Sequence, residues 1–118
     1  MFQQILDRLI ERVPEALAAT FNDHDGDPIC SRSIRVSEEG LQMLGAYQHV
    51  VKRHLQQAIE EFDQGEIRQV AFATEQHWIL MVGAKEQCVL VLVLQRDGLL
   101  GRARFYMEQA VEALNQEL

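Results

Sequence analysis

The sequence predicts an α+β domain with the order α-β-β-α-β-β-β-α, built on a five-stranded antiparallel sheet. Three observations carry this. Apolar residues recur at steps of three and four at both ends of the chain and across its middle. Between those stretches, short apolar runs come in groups, first two and then three, joined by turn-forming links. The run Cys88 to Leu94 is apolar at nearly every position, which marks a central strand covered on both faces.

The first helix is read from Phe2, Ile5, Leu6, Leu9, Ile10 and Val13, which fall in a stripe roughly 140° wide. Pro14 ends it, because a residue before proline avoids helical geometry. Leu17–Phe21 and Ile29–Ile34 read as strands around the segment Asn22-Asp23-His24-Asp25-Gly26-Asp27-Pro28. Asp-Gly supplies the positive φ of a tight turn, and proline suits the start of an edge strand. Ser37-Glu38-Glu39 offers a capping serine followed by acids in the first helical turn.

The second helix is expected from about Glu39 or Leu41 to Asp63, ending at Gly65. Its apolar positions spread over roughly 220°, far more than one sheet face requires. In so short a chain, a second copy of the same helix is the natural cover for the excess. Three strands follow, Ile67–Thr74, His77–Val82 and Cys88–Leu94, with links short enough to imply antiparallel hairpins. A last helix spans about Leu99–Glu117, with Leu100, Ala103, Met107, Ala110, Val111 and Leu114 on one face. The second helix is expected on one side of the sheet and the terminal helices on the other, with residues 1–118 forming one domain.

Eleven Lys and Arg against eighteen Asp and Glu give a net charge of -7. No basic stripe is present to neutralise phosphates, so nucleic acid and anionic membrane surfaces are not expected partners. Charges interrupt every apolar stretch of the N-terminus, which reads as neither signal peptide nor anchor. Cys30 and Cys88 belong to no metal pattern and read as small buried residues, free thiols of a cytoplasmic protein.

The chain offers little catalytic chemistry. Phosphate-binding glycine loops and nucleophile elbows are missing. Asp23, Asp25 and Asp27 begin like a calcium loop, but its sixth position is Pro28 and its twelfth Ile34. His49 and His54 are five apart, which denies them the i, i+4 spacing of a helical zinc pair. No catalytic, cofactor or metal residue is expected. Arg53 could in principle be offered in trans to a phosphoryl group, but reads more simply as a solvated arginine.

The pattern resembles the roadblock family, named for a dynein light chain. The matching features are the opening helix with Val13-Pro14, the Asp25-Gly26-Asp27-Pro28-Ile29 hairpin, the long helix from Leu41, the strand triplet and the closing helix. One departure is Cys30-Ser31-Arg32-Ser33, more polar than the small-residue stretch common there, which points to irregularity in the second strand. The resemblance implies a roadblock/profilin-like fold and a non-catalytic homodimer that binds and regulates a Ras-like small GTPase. It implies self-association through Met43, Leu44, Tyr47, Val50 and His54, with Ile67, Gln69 and Ala71 on an edge strand. The GTPase-facing surface is expected at Gly45, His49, Lys52, Arg53 and Gln56. The alternatives are a structural subunit of a larger assembly with no GTPase role, and a small-ligand sensor with a cavity lined by Phe72, Trp78 and Met81.

Overall fold

The computed structural model describes residues 1–60 and 65–118. Its elements follow the expected order: α1 (Phe2–Arg12), β1 (Ala16–Asn22), β2 (Pro28–Ser33), α2 (Glu38–Glu60), β3 (Gln69–Ala73), β4 (His77–Gly83), β5 (Val89–Gln95) and α3 (Leu100–Glu117). A short 3-10 turn, Lys85–Gln87, precedes β5. All five strands pair antiparallel in the order β2-β1-β5-β4-β3, which places β5 at the centre and β2 and β3 at the edges. The expected end of the second helix at Asp63 lies outside the described residues.

The alternation of β5 divides the interior. Leu90, Leu92 and Leu94 are fully buried against α1 and α3, together with Phe21, Leu80, Leu6, Met107 and Leu114. Val89, Val91 and Val93 point to the other face, where Leu41 of α2 joins Leu17, Ala18 and Val93. Fully burying each such aliphatic side chain is worth about 1.5–3 kcal/mol before entropy is subtracted. Glu15, just before β1, pins α3 to this scaffold. It receives both a Leu99 N–H and the Arg102 guanidinium, the latter at 2.6 and 2.8 Å to its two oxygens.

Local signals explain the element ends. Val13 leaves helical geometry ahead of Pro14, as expected. In the hairpin, Gly26 holds φ +86° and Asp23 Oδ1 accepts the backbone N–H groups of Asp25 and Asp27 at 2.9 and 3.0 Å. The acids of this turn therefore close it. Ser37 caps α2 by accepting the Gly40 N–H at 3.1 Å.

Four expectations are corrected. The third strand begins at Gln69 rather than Ile67, because Gly65 turns the chain at φ +82° and the Ile67 N–H bonds Gln56 Oε1 instead of a strand. The expected irregularity of the second strand falls at Ile29, where the register shifts between Phe21↔Cys30 and Asn22↔Pro28, rather than within Cys30–Ser33, which pairs without a break to Ala18↔Ser33 and whose polarity suits an exposed edge. Cys88 is buried, but Cys30 is only half-buried on that edge. Finally, Phe72, Trp78 and Met81 do not share a cavity. Trp78 faces the terminal helices, whereas Phe72 and Met81 lie on the opposite face of the sheet.

Candidate interaction surface

α2 is joined to the rest of the chain mainly through its first half. Of its 23 residues only Leu41, Gly45 and Gln48 are buried. Gly45 is spent inside the molecule. A Cβ on Gly26 would fall 2.7 Å from the Gly45 carbonyl oxygen, and a Cβ on Gly45 would collide with the backbone of Gly26. Gly45 thus meets the chain's own hairpin by close backbone approach, and it leaves the expected partner surface. Leu44 is half-buried and packs on the Leu17–Leu41 cluster.

Outward from this seat runs an apolar stripe. Met43, Tyr47 and Val50 are 54%, 63% and 39% exposed, and His54 is exposed as well. At 100° per residue these four lie within about 60° of one another. On the sheet face that α2 shares, Val70, Phe72 and Ile79 are only half-buried. The first half of α2 thus covers the β1 end of that face and leaves the β3 end partly open.

The two sheet edges differ. The outer side of β2 is blunted: Gln3 donates to the Ser31 carbonyl at 3.0 Å, Arg32 approaches Asp7 at 3.9 Å, and Pro28 opens the strand. Among the described residues no side chain reaches the outer backbone groups of β3. An unblunted edge is a template for another strand. Gln69 is exposed at the start of β3, where its Nε2 donates to Glu108 of α3 at 2.8 Å, and Ala71 is half-buried on the terminal-helix side.

The remaining expected partner residues gather around a cavity of about 670 Å³ between the second half of α2, the hairpin turn and the start of β5. His49, Lys52 and Gln56 line it half-buried, and Arg53 lines it exposed. Neither Lys52 nor Arg53 meets a carboxylate within ion-pair distance among the described residues. Asp23, Gln48 and Val89 belong to the same wall and were not among the expected site residues. No sequence motif marks Gln48 or Val89, and Asp23 stands out only in the Asp23-Asp25-Asp27 spacing, because the three come from elements that only folding brings together. Asp23, His24 and Asp25 place one ligand atom each within 4.8 Å of one another, yet His24 and Asp25 are exposed and Asp23 is occupied with turn closure.

The thiols are set by their surroundings. Burial, with Asp7 nearby, pushes the Cys30 thiol up to about 11. Burial raises Cys88 too, assisted by Glu86 and Asp23 and opposed by Lys52. Both are protonated, unreactive groups at neutral pH. Among the described residues, no helix is long and apolar enough to cross a membrane.

No family model matches the sequence, and no curated protein matches it. Solved structures do match in shape. A Roadblock/LC7 domain from Streptomyces avermitilis superposes with a TM-score of 0.89 at 17% identity, over 97% of this chain and 94% of that one. An MglB with a tetrameric arrangement gives 0.89 at 18% identity, over 98% and 85%. MglC from Myxococcus xanthus gives 0.69 at 25% identity, over 99% and 98%. By the order of its elements, the pairing of its sheet and these superpositions, this chain has the fold of a roadblock-type domain.

Proposed function

We propose that the chain works as a non-catalytic homodimer that binds a Ras-like small GTPase and modulates its GTP hydrolysis. The observation that carries the dimer is the pairing of an exposed apolar stripe, Met43-Tyr47-Val50, with a β3 edge that no side chain of the described residues covers, in a protein whose other edge is blunted. Edge pairing of two copies would continue the sheet, while the stripes would cover each other and the half-open β3 end of the face. Met43, Leu44, Tyr47, Val50 and His54, with Gln69, Ala71 and the adjacent Ile67, are the proposed contacts. One MglB of this fold has a tetrameric arrangement, which supports the self-association reading.

The GTPase reading rests on the likeness to roadblock domains and MglB, together with the polar face of α2 opposite the apolar stripe, where Arg53 is exposed and His49, Lys52 and Gln56 are half-buried. His49, Lys52, Arg53 and Gln56 are the proposed contact residues on that face. No residue is assigned a catalytic step. The protein would act by holding the GTPase's own residues, in the way a binding surface shifts a conformational equilibrium.

Two measurements test the reading. Light scattering should give twice the chain mass for the wild type and the single mass for a Val50→Glu variant with an unchanged circular dichroism spectrum. A titration with a Ras-like GTPase from the same organism, in both nucleotide states, should show binding. Charge reversal at Lys52 and Arg53 should weaken that binding about tenfold or more without dissociating the dimer. A dimer that binds no such GTPase and changes no hydrolysis rate would instead assign the chain a structural role.

A further inference from the structure

We propose that the cavity beneath the second half of α2 binds a small zwitterion, a free amino acid or short peptide bearing one ammonium and one carboxylate. This goes beyond the GTPase reading and does not depend on it. The cavity volume of about 670 Å³ falls in the range of small-ligand sites.

The lining argues for the chemistry. It carries both signs, Lys52 and Arg53 against Asp23, Glu60 and Glu66, so a purely anionic ligand would meet carboxylates and a purely cationic one would meet the two bases. Lys52 is the deeper cation. It is half-buried, whereas Arg53 is exposed. A partly desolvated ammonium is unfavourable, and a ligand carboxylate relieves it. Asp23 is the deeper anion. Its Oδ1 is taken up by two backbone N–H groups, which fixes the carboxylate at the wall and leaves Oδ2, with no hydrogen bond among the described residues, for a ligand. Gln48 in the same wall is 2% exposed, and its Oε1 receives no hydrogen bond among the described residues. A ligand with one group of each charge meets every one of these demands.

The test uses the full chain, with each proteinogenic L-amino acid and diglycine as probes in calorimetric titrations. At least one probe should bind saturably, and its N-acetyl and carboxamide forms should bind at least tenfold more weakly. Lys52→Met and Asp23→Asn should each weaken it by about tenfold or more, the loss of one charge-assisted contact. The amide introduced by the second substitution keeps an oxygen acceptor to close the turn, so an unchanged melting temperature verifies the fold. The proposal is overturned if no probe binds, if the bound probe keeps its affinity in both variants, or if the blocked forms bind as well as the free ones. GTPase binding can succeed or fail without altering any of these outcomes.

Discussion

At Gly45 one methyl group decides whether α2 can seat on the hairpin. The facing residue is Gly26, whose φ of +86° already demands glycine, and the two backbones meet with no room for a Cβ on either. Gly45→Ala should therefore destabilise the fold by about 1–3 kcal/mol, read as a lower urea midpoint, even though alanine is the better helix former. An unchanged or raised midpoint would show that the seat yields. The sequence made Gly26 legible through its Asp-Gly turn. Gly45 carries no such local signal, because the backbone that it meets lies nearly twenty positions away in the chain. The site residues Asp23, Gln48 and Val89 were hidden for the same reason.

Among the elements, those whose pattern reports their own burial were read correctly. The stripe of α1, the unbroken apolar run of β5 and the Ser37 cap each state a local preference that the fold obeys. β3 starts later than its composition suggests, because Ile67 fits a strand by type while its N–H is claimed by a glutamine on another element. The junction of β1 with α3 was likewise invisible, since Glu15 and Arg102 are far apart in sequence. Burial raises the Glu15 carboxyl, but the Leu99 N–H and the Arg102 guanidinium outweigh it and hold the group below the ordinary carboxylate value. A carboxyl depressed in the folded state adds stability above its unfolded value, and that stability is lost as pH falls through the folded one. Glu15→Gln should thus be less stable than wild type at neutral pH, with the gap closing in acid. Urea midpoints measured from pH 7 downward check this, and a gap constant with pH would remove the ion pair from the account.

For the whole molecule, the wide apolar arc of α2 is the sequence feature that reaches past the fold. A helix with only three of its 23 residues buried gains little from its own sheet. What remains exposed on it is apolar in one direction and polar in another, which suits two different contacts. The overall charge of -7 bears on the second of these. A dimer doubles that charge, so long-range attraction favours a partner whose docking face is basic. In the proposed complex Lys52 and Arg53 form a local exception that would set orientation, because a basic partner face must leave an acidic spot to meet them. Association with the GTPase should accordingly be fast at low salt and slow as ionic strength rises, with the change in the on-rate rather than the off-rate. Stopped-flow mixing across a salt series measures this. The charge-reversed Lys52 and Arg53 variant is more acidic, so it should dissociate faster while its association becomes more steeply salt-dependent. A salt-independent on-rate would mean that shape and the apolar contacts alone guide the encounter.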